Sequence, residues 1–300
     1  MGRIIAPKGD QFFNNKPYPL DGPFGTGHIE WFTRFTHSTA TNWTIPEGVT
    51  SVRIRVWGAG GTGEDSGGST AGDLSKVESG DSGSNQTIDT IQATGGALGY
   101  SSNSVAGGVG SGGDINYSGG KGGERGGGGA ASKWGHGGSG YDLADGTKAN
   151  SAGNTGGAGG GSAYGSTYDS SKGSYWSNNG SNWYYSSGSG RLAESGRFLQ
   201  VKSIDLLGTG RGGANSNNTY DLSIPPENGG GGSYRQSGAW PGGGGGPLIY
   251  NGCGGGGGGF AMKTFTGWTP GYSVKITVGA AENSSGGYPT GGDGLIIIEY

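Results

Sequence analysis

The sequence is short of almost everything that an ordinary globular enzyme is made from. It holds one cysteine, Cys253, so no disulfide can form within the chain. Only 14% of its 300 residues are charged and the formal net charge is −3. The 19 Lys and Arg residues never gather into a run, which argues against a nucleic-acid groove. Leu, Ile, Val and Phe together number 43, below the roughly 20% expected of a globular chain, so any apolar core must be small. No apolar run approaches the roughly 20 residues of a membrane-spanning helix. The opening Met1-Gly2-Arg3-Ile4-Ile5-Ala6 lacks the apolar stretch of a signal peptide, and Ala6 stands where a myristoylation site carries Ser or Thr. The expected protein is soluble, made in the cytoplasm and not inserted in a membrane.

What is abundant is glycine, 77 residues, with 11 prolines. That richness alone would indicate a disordered, low-complexity chain. Aromatic residues nevertheless make up 10% of the sequence and the charge is low, whereas disordered chains are highly charged and poor in aromatics. Periodicity decides between the two. Near the N-terminus, prolines 7, 17, 19 and 23 precede the alternating stretch Ile29 to Phe35, an extended arm followed by a strand. Trp43 to Val49 reads as strand then turn. Ser51-Val52-Arg53-Ile54-Arg55-Val56-Trp57 alternates with period two, as a half-buried strand does. Tyr272 to Val278 alternates in the same way, Gly291 to Gly294 reads as a turn, and Leu295 to Tyr300 as a final apolar strand. Between them, further strands are expected at Gln86 to Ala93 and at Phe198 to Leu207. Nothing has a capped helical stripe, and glycine costs about 1 kcal/mol at each helix position.

The glycines keep a period of three. Ser118, Lys121 and Glu124 are separated by Gly-Gly, as are Thr155, Ala158 and Gly161. Ser111 to Asp114, His136 to Ser139 and Arg211 to Ala214 are single units of that spacing, Pro241, Gly244 and Pro247 sit three apart, and Gly254 to Gly259 has no side chain at all. A left-handed helix of polyproline II type has three residues per turn, about 3.1 Å of rise per residue and no internal hydrogen bonds. An x-Gly-Gly repeat therefore gathers its side chains on one face and leaves two faces as bare backbone. Buried amides and carbonyls must find partners, so such helices have to bond to one another. Two glycines per triplet and few prolines exclude collagen. The expected architecture is mainly β with irregular glycine-rich structure and little or no α-helix. In it, the terminal strands form a small β-sandwich or sheet that caps a bundle of polyglycine II helices.

Motifs that suggest chemistry lack their context. Gly58-Ala59-Gly60-Gly61-Thr62-Gly63 fits the dinucleotide-binding pattern after a strand, but Gly67, Gly68 and Gly72 interrupt the helix that should follow. Gly60 to Asp65 fits one calcium-binding G-G-x-G-x-D unit, which needs a tandem array that does not follow. Neither a phosphate loop nor a nucleophile elbow is present. His28, His37 and His136 are far from one another and from Cys253, so no zinc spacing exists. The expectation is a non-enzymatic protein with no catalytic residue, no metal and no cofactor.

The segment with binding chemistry is aromatic. Tyr164, Tyr168, Tyr175, Trp176, Trp183, Tyr184 and Tyr185 lie among Ser, Asn and Gly. Tyr and Trp give a large contact area with few rotors, and the small polar residues give adaptable hydrogen bonds. The competing explanation is that the rings seal the glycine bundle. Tyr234, Arg235 and Trp240, and the region of Tyr100, Asn103 and Tyr117, are smaller candidates that also lie between glycine runs.

Trp43-Thr-Ile-Pro-Glu-Gly-Val-Thr-Ser-Val-Arg-Ile-Arg-Val-Trp-Gly-Ala-Gly-Gly61, together with Tyr272 to Ala280 and Gly292-Asp-Gly-Leu-Ile-Ile-Ile-Glu-Tyr300, resembles the opening and close of glycine-rich domains in bacteriophage tail-fibre proteins. Glycine motifs alternating with polar-aromatic segments are similar to the distal receptor-binding adhesins of T-even-like phages. The resemblance implies two parts. Residues 1–40 would be an attachment arm with one strand. Residues 41–300 would be the adhesin-like domain, with 41–61 and 261–300 as β framework and 62–260 as polyglycine II bundle with variable loops. It also implies a virion location, docking of the arm to other tail or fibre proteins, and binding of an outer-membrane protein or surface polysaccharide. The receptor-binding residues would be Tyr164, Tyr168, Tyr175, Trp176, Trp183, Tyr184, Tyr185, Tyr234 and Trp240. Fibres of this kind are often homotrimeric, and a closed bundle can also act as a monomeric tip. The alternative is a purely structural appendage or decoration protein.

Overall fold

The computed structural model describes residues 28–34, 40–63, 71–81, 83–100, 104–124, 126–140, 158, 162–163, 204, 207–210, 212, 214–215, 226, 228–233, 235–248, 252–281 and 289–300. The described residues form strands and irregular structure, with no α-helix. In chain order the strands are β1 (Ile29–Thr33), β2 (Thr41–Thr44), β3 (Ser51–Trp57), β4 (Ser75–Ser79), β5 (Ile91–Ala93) and β6 (Gly110–Ser111). They continue with β7 (Ile115–Tyr117), β8 (Ser162–Ala163), β9 (Ala214–Asn215), β10 (Phe260–Thr266), β11 (Ser273–Thr277) and β12 (Leu295–Glu299). One antiparallel sheet has the order β1-β12-β3-β10-β7, a second the order β2-β11-β4-β5-β6, and β8 and β9 form a short parallel pair.

The two large sheets share a core. Val52, Ile54 and Val56 of β3 point into it, with Ile296 and Ile298 of β12, Val274 and Ile276 of β11, and Val77 and Ile91 from β4 and β5. Period-two side-chain alternation puts the odd-numbered residues of β3 and β12 on the opposite face. There Trp57, Leu295 and Ile297 meet Phe260, Ala131 and Ile204 in a second cluster. β12 is buried along its whole length because both of its faces are covered, which is why it reads as an unbroken apolar run rather than an alternation.

β1 lies inside this framework. It pairs with β12 from Ile29↔Glu299 to Thr33↔Leu295, and its Glu30 ties the sheets together. The Glu30 carboxylate accepts Trp43 Nε1–H from β2 at 3.0 Å and the Tyr300 hydroxyl at 2.5 Å, and His28 stacks on the Tyr300 ring at 5.5 Å. Burial, and then the bond and charge of Glu30, hold the Tyr300 hydroxyl well above the usual tyrosine range. A group whose pKa is raised by folding contributes stability below its unfolded pKa, about 10 for tyrosine, and loses it as pH climbs toward the folded value. Urea unfolding of the parent protein is therefore expected to show a larger fall in stability between pH 9 and pH 11 than unfolding of Tyr300→Phe. Parallel pH curves for the two would disprove the coupling.

Several expectations need correction. Of the strand expected over Gln86 to Ala93, only Ile91–Ala93 is in strand; Gln86 instead donates its N–H to Ser273 at 3.0 Å. Of Phe198 to Leu207, only residues 204 and 207 are described, with Leu207 N–H on the Ile204 carbonyl at 3.4 Å; the rest of that expected strand lies outside the described residues. Gly291 to Gly294 is not a turn: Gly292 N–H donates to Gly243 and Gly294 N–H to Gly279. The glycine-rich centre also supplies strands β4, β6 and β7, and β10 begins at Phe260 directly after a glycine run.

Beyond one end of the sheets lies a block of glycine segments that pair backbone to backbone. Gly254 to Gly259 shows the rule. Gly254 and Gly257 donate to Gly123 and Gly120; Gly255 and Gly258 donate to Gly245 and Gly242; Gly256 and Gly259 donate to Ala97 and Thr94. The same run accepts Gly61 and Gly58 on Gly256 and Gly259, Gly128 and Ala131 on Gly255 and Gly258, and Gly108 on Gly257. Each neighbour is met at every third residue. Gly127 and Ala130 repeat this against Gly232 and Gly229. The approach is so close that a methyl carbon built on Gly257 would stand 2.1 Å from the Gly129 carbonyl oxygen, and one on Gly258 2.0 Å from that of Gly58. Only glycine fits where backbone meets backbone at this range.

Candidate functional site

The path of the chain through the block gives it two ends. Segments run out of β3, β5, β7 and β11 and run back into β4, β6, β10 and β12. The end next to the sheets is marked by Gly58 N–H on Gly259, Thr94 N–H on Val109, Ala131 N–H on Gly258, and the Trp57 indole N–H on the Ala131 carbonyl at 3.0 Å. The far end is marked by Gly63 N–H on Pro289 at 3.3 Å, Gly99 N–H on Thr62 at 2.9 Å and Gly254 N–H on Gly123 at 2.8 Å. Gly140 N–H on Lys121 and Arg235 N–H on Pro247, both 2.8 Å, lie at the same end. The connections 64–70, 101–103, 124–125, 234–235 and 248–251 join residues on this side of the block, whereas 141–157 leads from Gly140 at the far end to Ala158 at the sheet end and 282–288 leaves from Ala281, whose N–H reaches Asp293 near the sheets. Residue 158 then re-enters the block, with Ala158 N–H on Ala130.

The opposite pole of the described molecule holds His28 and Tyr300. β12 starts beside the block at Leu295 and runs away from it, and β1 is antiparallel to β12. His28 and Tyr300 exchange both backbone hydrogen bonds, at 2.8 and 3.0 Å, on the side of the sheets away from the glycine block.

The described side chains of the far end include the apolar Pro247, Leu248 and Pro289 beside polar and aromatic ones. Tyr100 is 75% exposed, the most open of the large apolar side chains described. Lys121 and Arg235 are exposed. Arg235 sits at φ 61 in a turn, a left-handed conformation that is uncommon for a residue with a side chain. That turn is held by Arg235 Nε–H on the Leu248 carbonyl at 3.4 Å and by the Ser233 hydroxyl on Gln236 Oε1 at 2.7 Å. Cys253 is buried, with its thiol 3.3 Å from the Gly254 carbonyl. Among the described residues no group of three His, Cys, Asp or Glu could hold a metal ion, and no helix is long and apolar enough to cross a membrane.

Tyr164, Tyr168, Tyr175, Trp176, Trp183, Tyr184, Tyr185 and Tyr234 lie outside the described residues, as does Asn103. Trp240 is described and sits at the sheet end, half-buried on the second cluster, with its ring 6.3 Å from that of Trp31. Tyr117 is also at the sheet end, edge-on to His136 at 5.0 Å, and His136 Nδ1 accepts the Ser118 N–H at 3.0 Å. The structure thus separates Tyr100 and Arg235 at the far end from Trp240 and Tyr117 at the near end. Sequence reasoning passed over the far end as a unit. Its one trace in the sequence is that Glu124 and Arg235, each described in a turn, stand between glycine-rich runs. Comparison with known protein families, with curated proteins and with solved structures finds no match to this chain.

Proposed function

We propose that this chain is a non-enzymatic receptor-binding protein of a bacteriophage tail fibre or tail tip. In this reading the far end of the glycine block meets an outer-membrane protein or a surface polysaccharide of the host. The terminal pole, with the arm before His28, docks to other tail or fibre proteins. The glycine segments are read as polyglycine II helices, whose three residues per turn account for a bond to the same neighbour at every third residue. The observation that carries the proposal is that the connections 64–70, 101–103, 124–125, 234–235 and 248–251 join residues on one side of a block whose backbone is bonded on all sides. Loops on a rigid scaffold are where recognition is concentrated, and anchoring both ends of a short loop lowers the ordering entropy lost on binding. The aromatic run Tyr164 to Tyr185 belongs to the recognition segments in this reading, through the fit of Tyr, Trp, Ser and Asn to adaptable contact.

The test uses the purified full-length chain on host cells. Saturable binding that competes with adsorption of the parent particle is expected, and deletion of Tyr168 to Tyr185 should lower it. A chain that leaves cells unbound while the intact particle adsorbs would establish the rigid-appendage role instead.

A further inference from the structure

Four segments lie side by side along one flank of the glycine block. Residues 94–100 bond to 104–109 through Ala97 N–H on the Ala106 carbonyl at 2.9 Å. Residues 104–109 bond to 118–124 through Val105 and Gly122, which exchange both backbone hydrogen bonds at 3.0 Å. Residues 118–124 bond to 136–140 through Gly137 N–H on Ser118 at 2.9 Å and Gly140 N–H on Lys121 at 2.8 Å. Exposure keeps the period of three along them. Ala106 and Val109 are exposed with Gly108 buried between, and Lys121 is exposed between the buried Gly120 and Gly122. Tyr100, 75% exposed, closes the outermost segment.

Lys121 is the unusual charge of this flank. Every other described lysine has a partner: Lys76 meets Glu78 at 2.7 Å, Lys263 meets Asp89 at 3.6 Å, Lys275 meets Asp81 at 2.6 Å, and Lys133 lies over the Trp134 ring at 4.5 Å. Lys121 has no such partner among the described residues, and neither has Glu124, at the turn that ends the same segment. The two stand about 10 Å apart along extended chain, with only Gly122 and Gly123 between them. We propose that this flank binds a second copy of the chain about a two-fold axis that crosses residues 118–124 between Lys121 and Glu124. Such an axis runs the two segments antiparallel and sets each lysine against the glutamate of the other copy. The contact is then made twice, as in any isologous interface. A parallel arrangement would face lysine with lysine, and like charges across an interface are costly. The two intervening glycines place no side chain between the paired charges. An exposed ion pair alone contributes little, and Tyr100, at the same end as Glu124, adds open apolar surface for burial beside it.

The test is sedimentation velocity of the purified full-length chain at low salt, over a concentration series reaching the high micromolar range. A reversible dimer is expected, and added salt should weaken it, because screening acts on exposed charges. Lys121→Glu and Glu124→Lys are each expected to raise the dissociation constant about tenfold or more, since each sets like charges against one another twice. The double variant, Lys121→Glu with Glu124→Lys, should restore the dimer, because the exchange returns opposite charges to both contacts. Tyr100→Ala should weaken it without touching the charges. Melting temperatures recorded for all variants should match the parent, which guards the comparison against misfolding. A chain that stays monomeric at every concentration, or that forms a trimer, would overturn the proposal. So would single variants that associate like the parent, or a folded double variant that remains monomeric. No host cell enters the readout, so this inference and the receptor-binding reading can each fail without the other.

Discussion

Gly257→Ala is expected to abolish cooperative folding, while Gly83→Ala leaves the protein as stable as before or slightly more so. Gly257 lies in the middle of the run bonded to neighbouring segments on all sides, donating to Gly120 and accepting from Gly108. An added methyl carbon would meet the Gly129 carbonyl oxygen at 2.1 Å and its carbon at 2.4 Å. The obstacle is backbone, so no rotamer change relieves it. Two segments must separate, and the amides and carbonyls stripped of partners there each cost about 1–3 kcal/mol. With several such groups exposed together, the loss is on the order of 5 kcal/mol, comparable with the whole stability of many domains. Gly83 meets nothing within 4 Å, and its replacement removes freedom from the unfolded chain, worth about 0.4–1 kcal/mol of added stability. Urea unfolding of both variants against the parent decides the matter. A Gly257→Ala protein that melts cooperatively within about 1 kcal/mol of the parent would mean that the block does not bear the fold.

The second large effect is expected at the ion pair on the covered face of the first sheet. Arg55 and Glu299 are each 3% exposed, and Arg55 Nε lies 2.5 Å from Glu299 Oε1. Arg53 adds a second, longer contact to the same carboxylate at 3.6 Å. Removing one partner of a buried pair strands the other charge out of water, at a cost of about 3–5 kcal/mol. Glu299→Leu is therefore expected to destabilise by that amount. Replacing both partners, Arg55→Met with Glu299→Leu, should recover most of it, because well-packed apolar residues often match a buried pair in stability. Arg53 retains water access, its side chain being 27% exposed, and so tolerates the loss of Glu299. A double variant no more stable than the single one would show that the pair contributes through packing and not through its charges.

The strands with a clear signal in the sequence were those with one wet face or a buried run. Ser51 to Trp57 and Ser273 to Thr277 alternate because one side meets the core and the other carries mostly polar positions, Trp57 alone packing into the second apolar cluster. Leu295 to Glu299 is apolar throughout because both sides are covered. Phe260 to Thr266 gave no such signal: Lys263 and Thr264 break its apolar order, and the preceding glycines blur its start. The pairing of β1 with β12, nearly the whole chain apart, left no local trace, because the residue that specifies it, Glu30, finds Trp43 and Tyr300 only across the two sheets. The candidate site was legible in its residue types and not in its membership. Tyr100 and Arg235 stood out as positions beside glycine runs, yet nothing local in the sequence joins them to one end of the block.

Composition and spacing by themselves determined that the described residues would use bare backbone as a packing surface, with strands at both ends and no α-helix among them. They did so because a glycine triplet has no side chain to bury and a period-two run has one face that must be buried. Which glycine segment lies beside which, and so which loops share an end, was decided only by the tertiary structure. A segment without side chains presents the same amides and carbonyls to every neighbour, so its partner is chosen by the strands that anchor it and by the turns that bring it back.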